Sequence, residues 1–167
     1  MEPMTRETVE EAFASGCQAH LKYLAFAQQA EEEGYPNVAR LFRAIAASEK
    51  RHALYHLRML GGVGSTEENL QNAYERDGCE IAALCSICSE NPDSEDEGNP
   101  GGEPCQALEA EKSHLPLYDE AKAAVNSEED LEETPIYVCG GCGRTVRGEA
   151  PERCPVCDTP CACFEVY

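Results

Sequence analysis

The feature that most constrains this chain is a cysteine quartet near its C-terminus. Cys139 and Cys142 form one C-x-x-C pair, and Cys154 and Cys157 form a second. Two such pairs in one short stretch supply the four thiolates of a tetrahedral metal site. Disulfides or scattered buried thiols are the alternative. Because sulfur ligands suit both zinc and iron, the quartet alone predicts either a zinc ribbon or a rubredoxin-like module.

Composition limits what the rest of the chain can be. With 167 residues, we expect one ordinary domain plus a small one. A net charge of −19 argues against nucleic acid and anionic membrane surfaces as partners. The N-terminus lacks the basic start and apolar run of a secretory signal, and an apolar stretch of about 20 residues, as a membrane span needs, is missing. Eleven cysteines then favour metal thiolates in a reducing cytoplasm.

Capping residues, glycines and prolines, together with hydrophobic periodicity, predict four helices before the quartet. The first helix is expected from an N-cap at Thr5 to Gly34. The second should begin at Pro36 and end at Gly61-Gly62. A capping box at Ser65 opens the third, and the fourth follows Pro104.

Each helix has a stripe of residues at spacings of three and four that is expected to face the interior. The stripes are Val9, Phe13, Gly16, His20, Tyr23 and Ala27 on the first helix; Val38, Phe42, Ile45, Glu49, His52, His56 and Met59 on the second; Leu70, Ala73, Asp77, Glu80, Leu84 and Ile87 on the third; and Leu108, Glu111, Leu115 and Tyr118 on the fourth, with His114 beside them.

Several of these predicted interior positions are carboxylates or histidines. Unpaired carboxylates in a helical core cost several kcal/mol each, so bound cations are expected to compensate them. The pairs Glu49-x-x-His52 and Glu111-x-x-His114 each put a carboxylate and an imidazole on one face. Two such pairs on two helices, with carboxylates from the others, are typical of dinuclear metal sites in helical bundles. A solvated helix face is the alternative for either pair.

Two acidic segments interrupt the helical pattern. Residues 89–104 are rich in Pro, Gly and acid and predict a loop. Residues 127–135 are acidic too and predict a linker. We therefore expect a helical domain over 1–126 and a small metal-stabilised domain over 136–167. Pro116 inside the fourth helix should kink it or leave a carbonyl near Lys112 unpaired.

Taken together, these motifs resemble the rubrerythrin family. The similarity includes QAHLKY and EEEGY in the first helix, FRAIAASEKRHA around Glu49 and His52, and the ending RCPVCDTPCACFEV. The resemblance implies an all-α four-helix ferritin-like bundle plus a small C-terminal rubredoxin-like domain with short β-strands. It also implies peroxide reduction at a dinuclear non-haem iron site. A rubredoxin-like iron would pass electrons to that site, usually across a head-to-tail dimer.

The resemblance also implies metal ligands in the bundle. Glu49 and His52 match the family's pair on the second helix, and Glu111 and His114 match the pair on the fourth. Glu80 matches a carboxylate that the family moves on and off one iron with redox state.

Other positions depart from the family's pattern. The second ligand of the third helix is a Glu in the family and is Asp77 here. The ligand Glu of the first helix aligns with Gly16, which has no side chain. Tyr23 matches a pocket tyrosine, but a second pocket tyrosine aligns with Cys85. His20, one turn from Gly16, is an alternative nitrogen ligand, or else a hydrogen-bonded core histidine.

The remaining cysteines have two interpretations. Thiols on the first and third helices would favour a softer metal, an iron–sulfur cluster or redox disulfide chemistry. They would otherwise be small buried hydrophobes. These cysteines are Cys17, Cys79, Cys85 and Cys88. Cys161 and Cys163 are surplus to the quartet, and Cys105 is left without a role.

The leading hypothesis is an oxidoreductase that reduces hydrogen peroxide at a dinuclear iron site. Glu80 and Tyr23 are its predicted catalytic residues, and iron on the quartet supplies electrons. The predicted partners are a second copy of the chain and an electron-donating reductase or rubredoxin. Zinc would fit either metal site as well. The alternative is a non-catalytic electron-transfer or metal-binding protein with a degraded dinuclear site.

Overall fold

The computed structural model describes residues 5–90 and 102–167, which form four helices, three strands and one 3-10 turn. The elements are α1 (Arg6–Glu32), α2 (Pro36–Met59), α3 (Thr66–Glu90), α4 (Gly102–Asn126), β1 (Ile136–Cys139), β2 (Thr145–Arg147), the turn Cys161–Cys163 and β3 (Phe164–Val166). This content confirms the predicted fold class. The chain divides into two compact units, residues 1–64 and 65–167. The predicted boundaries around residues 127–135 stay a prediction.

The helix ends follow local capping chemistry. The Thr5 hydroxyl accepts a hydrogen bond from the Thr8 amide at 3.2 Å. After the end of α1, Gly34 has φ +83°. The predicted capping box is confirmed, because the Ser65 amide donates to Glu68 at 2.7 Å and the Glu68 amide donates back to the Ser65 hydroxyl at 3.2 Å.

The loop predicted at 89–104 is shorter than expected. The structure continues α3 to Glu90 and begins α4 at Gly102, so both predicted edges are wrong by two or three residues. The rest of that segment, 91–101, lies outside the described residues. Helix α4 also runs on through Pro116.

In the first unit, α1 and α2 pack through very small side chains. Ala39, Ala46 and Ala53 recur every seven residues on α2 and are buried, as are Gly16 and Ala27 on α1. The predicted α1 stripe is confirmed. The predicted α2 stripe is confirmed in part: Phe42, Glu49 and His56 are half-buried, but the other four positions are exposed, because the alanine face beside the stripe makes the contact. Small side chains let two helix backbones approach closely, and here that close contact outweighs the burial of larger ones.

This packing leaves large apolar side chains exposed on the first unit. They include Leu21, Leu24, Phe26, Val38, Leu41, Ile45, Leu54, Tyr55 and Met59. The predicted Val38, Ile45 and Met59 are among them. Large apolar side chains that are exposed to solvent on one unit are typical of an interaction site.

In the second unit, α3 and α4 pack on each other and carry the small sheet. Leu108 and Ala110 are buried on α4, and Asp77 on α3 is buried at 3% exposure. The strand order is β2-β1-β3, with both pairs antiparallel. The Thr145 amide at the start of β2 donates to the Ser113 hydroxyl of α4 at 3.0 Å. This bond ties the sheet to the helix pair.

Across residues 5–90 and 102–167, none of the helices is long and apolar enough to cross a membrane.

Candidate metal centres

The thiolate quartet (Cys139, Cys142, Cys154 and Cys157) is assembled as predicted. Its four sulfurs lie within 4.8 Å of one another. Cys139 Sγ is 3.5 Å from Cys157 Sγ, and Cys142 Sγ is 3.7 Å from Cys154 Sγ. A tetrahedron with metal–sulfur bonds of about 2.3 Å has edges of about 3.8 Å. The quartet therefore has the dimensions of a tetrathiolate cage for iron or zinc.

Tight turns place these sulfurs. The Gly143 amide bonds back to the Cys139 carbonyl at 2.9 Å, and Gly143 has φ +80°, which favours glycine. In the second loop, the Asp158 amide bonds to the Cys154 carbonyl at 2.9 Å. Gly141 lies against the Thr159 side chain, where a Cβ would collide. Glycine is needed at both 141 and 143 for the two loops to meet.

The thiols of the quartet differ in how readily they ionise. Burial raises the pKa of Cys142 to about 12, and burial raises the pKa of Cys154 as well. Burial also opposes ionisation of Cys157, but hydrogen bonds from the Thr159 hydroxyl and amide, together with those from the Cys139 and Cys142 thiols, outweigh it and lower that pKa to about 6. The Thr159 hydroxyl is 3.0 Å from Cys157 Sγ. Cys157 is thus the ligand most easily presented as a thiolate.

A second group, the α3–α4 cluster, consists of Asp77, Glu111 and His114. Its ligand atoms lie within 4.8 Å of one another. His114 Nδ1 is 3.1 Å from Asp77 Oδ2 and 3.2 Å from Glu111 Oε2. Glu111 and His114 share one face of α4 because they are three residues apart, and α3 brings the buried Asp77 opposite them. Two carboxylates and an imidazole form a donor set that suits iron.

Tyr118 belongs to this environment and was not predicted as a site residue. Its ring lies 6.4 Å from the His114 ring. Burial raises the pKa of Tyr118, and the charge of Asp77 and a hydrogen bond with Asp77 raise it further. The phenol therefore keeps its proton and donates to Asp77. The signal was present in the sequence, since Tyr118 follows His114 by four residues on the predicted stripe.

The Glu49–His52 pair lies in the first unit, on α2. Glu49 is half-buried, and its Oε2 is 3.7 Å from His52 Nδ1. The His52 side chain is 62% exposed, so its predicted burial is wrong. Tyr23, also in this unit, stacks on Phe42 with centroids 6.2 Å apart. The ligand role of the pair and the catalytic role of Tyr23 stay predictions.

Glu80 and His20 have partners other than the α3–α4 cluster. Glu80 forms an ion pair with Arg76 at 3.0 Å. The His20 ring bonds through Nδ1 to the Ala46 carbonyl at 2.8 Å. This contact supports the interpretation of His20 as a hydrogen-bonded core histidine.

Gly16, where the family pattern has a glutamate, is buried against α2. A Cβ built there would lie 3.3 Å from the Ala53 Cβ, tighter than an ordinary van der Waals contact. The residue is therefore part of the close α1–α2 packing.

The remaining cysteines are mostly exposed. Cys79 and Cys85 are exposed on α3, so their interpretation as small buried hydrophobes is wrong. Cys161 and Cys163 are exposed too, and Cys17 is half-buried. Cys88 and Cys105 form a disulfide, a pairing that the sequence did not indicate.

Four helices with a carboxylate–imidazole cluster, followed by a tetrathiolate cage on a three-stranded sheet, define a two-centre non-haem metalloprotein. A sequence model of the rubrerythrin family matches residues 7–99. Rubrerythrin-2 of Clostridium acetobutylicum is 33% identical over 98% of this chain and 97% of its own length. Nigerythrin of Nitratidesulfovibrio vulgaris is 30% identical over 98% and 86%.

Solved structures agree with these relatives. The structure of nigerythrin in a mixed-valence state covers 100% of this chain and 88% of its own, at 26% identity and a TM-score of 0.51. The chain therefore belongs to the rubrerythrin family. Members of this family bind iron at dinuclear and rubredoxin-like sites and act generally against oxidative stress.

Proposed function

We propose that this chain reduces hydrogen peroxide at a dinuclear iron site and receives electrons through iron on the thiolate quartet. One observation supports this pairing of centres above all. Ser113, which directly precedes His114, accepts a hydrogen bond from Thr145, three residues after Cys142. A short path of covalent bonds and one hydrogen bond thus joins a ligand of each proposed centre within the second unit.

The chain's own residues would hold the metals and manage protons. The α3–α4 cluster supplies two carboxylates and an imidazole, and Glu49 and His52 on α2 remain proposed ligands from the family's pattern. Iron bound there would supply redox chemistry and Lewis acidity. Tyr118 keeps its proton beside Asp77 and is placed to orient that carboxylate. Glu80 and Tyr23 remain the proposed catalytic residues for proton movement.

The proposed partners are a second copy of the chain and a reductase or rubredoxin. The exposed apolar side chains of α1 and α2, such as Leu41 and Leu54, favour a homodimer in which this surface becomes buried.

Alanine variants test the dinuclear site directly. We expect Glu111→Ala and Glu49→Ala to lose the bundle iron and to reduce peroxide-dependent turnover to background. Both variants should keep the visible colour of iron on the quartet. Asp119→Ala removes an exposed carboxylate of α4 and should keep iron content and turnover. Full turnover in Glu111→Ala at unchanged iron content would contradict the proposal.

The second candidate is an electron-transfer or metal-binding protein without peroxidase activity. The observation that favours it is Gly16, which supplies no ligand and is packed against Ala53. Elemental analysis after anaerobic purification separates the two candidates. About three irons per chain would support the dinuclear site, and about one would support the second candidate.

A further inference from the structure

The disulfide between Cys88 and Cys105 joins the last turn of α3 to the first turn of α4. The two Cα atoms are 5.8 Å apart, within the range that a disulfide spans. The same two helices carry the α3–α4 cluster further along. Neither of the two metal centres uses these sulfurs, so the pair is a separate redox element of the second unit.

Cys105 is reachable by small molecules. It lines a cleft of about 420 Å³ whose other walls belong to α4 and to the loops of the thiolate quartet. The lining residues are Cys105, Gln106, Glu109, Arg144, Pro155 and Val156. A cleft of this volume is within the usual range for small-molecule sites.

The charge of the cleft selects among small thiols. Arg144 lines the cleft and brings a guanidinium to it. Glu109 already forms an ion pair with Lys112 at 2.7 Å. A thiol that carries a carboxylate can therefore pair with Arg144 while its sulfur approaches Cys105.

We propose that Cys88 and Cys105 are a reversible thiol–disulfide couple, which peroxide oxidises and a carboxylate-bearing small thiol reduces through this cleft. In oxidation, the Cys105 thiolate attacks one peroxide oxygen and the O–O bond breaks. The released hydroxide takes a proton to form water, leaving a sulfenic acid on Cys105. The Cys88 thiolate then attacks that sulfur, the S–O bond breaks, and the hydroxide that leaves takes a proton to form a second water.

Reduction reverses the oxidation of the two sulfurs. The thiolate of the small thiol attacks Cys105, and Cys88 leaves as a thiolate. A second small thiol attacks the mixed disulfide, releases Cys105 and leaves as the oxidised disulfide of the reductant. Two electrons from two small thiols thus reach the protein, and two electrons from the protein reduce one peroxide to two waters.

The couple can be tested in the full, metal-loaded chain. We expect hydrogen peroxide to convert the reduced protein to a form with a Cys88–Cys105 disulfide. Mass spectrometry should then find the two peptides cross-linked, with a mass lower by two hydrogens than the sum of the reduced peptides. Glutathione should restore both thiols. Cys88→Ser should trap a sulfenic acid or a glutathione adduct on Cys105, whereas Cys79→Ser, which removes an exposed thiol of the same helix, should behave as wild type.

Three results would overturn the couple. Both thiols could stay open to alkylation after peroxide, or the cross-link could join Cys85 to Cys88 instead. The third is a Cys88–Cys105 bond that glutathione cannot reduce in the folded protein. Glu111→Ala should retain the couple, so loss of the dinuclear chemistry and loss of the couple are separable.

The role of Arg144 has its own control. We expect Arg144→Gln to slow reduction by glutathione severalfold and to leave reduction by mercaptoethanol, which has no carboxylate, unchanged. Equal slowing with both reagents would contradict a carboxylate site at Arg144.

Discussion

The thiolate quartet and the α3–α4 cluster are built in opposite ways. The quartet draws its ligands from two short loops between residues 139 and 157. In the cluster, Asp77 and His114 are 37 positions apart and meet only because two long helices pack. One centre is therefore specified by local spacing, whereas the other depends on the tertiary packing of its helices.

The two centres also differ in what holds them without metal. The sulfurs of the quartet contact mainly one another, and burial opposes ionisation of Cys142 and Cys154. The carboxylates of the α3–α4 cluster already have the His114 ring and Tyr118 as partners. We infer that metal maintains the fold around the quartet, while the helices maintain the cluster.

The largest expected effect follows from removing a ligand of the quartet. Cys139→Ser replaces a buried sulfur ligand and should abolish metal binding at the quartet. The module should then unfold, because metal binding at such sites contributes on the order of 10 kcal/mol to folding. Residues 136–167 should lose their dispersed amide signals in NMR, and the visible colour should disappear. The helical circular dichroism should remain, since α1 to α4 do not depend on this metal.

A matched variant makes that result specific. Cys161→Ser removes an exposed cysteine of the same module and should keep the metal and the colour. If Cys139→Ser also unfolded the helices, the two centres would not be independent in the way we infer.

Asp77→Ala should have a smaller effect, confined to the helices. It removes a buried carboxylate that partners His114 and Tyr118. Leaving Tyr118 without this acceptor, and His114 with Glu111 as its remaining partner, should lower the free energy of unfolding of the metal-free protein by about 1–3 kcal/mol, measured by urea denaturation. Glu75→Ala, an exposed change two residues earlier on α3, is the control. Equal stability of the two variants would mean that helix packing alone holds the cluster.

A pair of glycine substitutions sharpens the role of helix packing. Gly78 on α3 has open space around a Cβ, so Gly78→Ala should raise the free energy of unfolding by about 0.5–1 kcal/mol. Gly16→Ala gains the same helix propensity but must displace Ala53, so it should gain less or lose stability. Thermal denaturation of both variants measures the difference. Equal gains in stability would show that the α1–α2 contact accommodates the added methyl group without cost.

How far each centre could be predicted from the sequence follows from the same contrast. The convergence of the four sulfurs of the quartet could be predicted, since C-x-x-C pairs encode their own loop geometry; the metal that they bind stays a prediction. The helix ends at Thr5 and Ser65 were also correct, because capping is local. On α2, however, the predicted stripe is buried only in part, and the face that packs lies beside it. The seven-residue repeat of Ala39, Ala46 and Ala53 is present in the sequence, but alanine carries little hydrophobic signal.

The other residues that sequence reasoning missed depend on contacts between helices. Cys88 and Cys105 pair across the ends of α3 and α4, and neither has a spacing that announces a disulfide. Tyr118 gained its place only once α3 had brought Asp77 beside it. Periodicity assigns a residue to a face of its own helix, but it does not say which residue of another helix that face meets.

The smallest expected effect is a change in how acid releases metal from the quartet. Burial raises the pKa of Cys157, but hydrogen bonds from Thr159, Cys139 and Cys142 together outweigh it and lower that pKa to about 6. Because this pKa is lower in the folded state, the bonds stabilise the module fully above the unfolded thiol's pKa of about 8.5, and that stability is lost as pH falls through about 6.

Thr159→Val removes the hydroxyl but keeps the amide, so it should raise the pKa of Cys157. Iron should then leave the quartet at a higher pH than in wild type, followed by loss of visible absorbance during acid titration. Thr145→Val removes a hydroxyl that donates to the Gly143 carbonyl instead of a sulfur, and should release iron at the wild-type pH. An unchanged release pH in Thr159→Val would mean that metal binding alone sets the ionisation of Cys157.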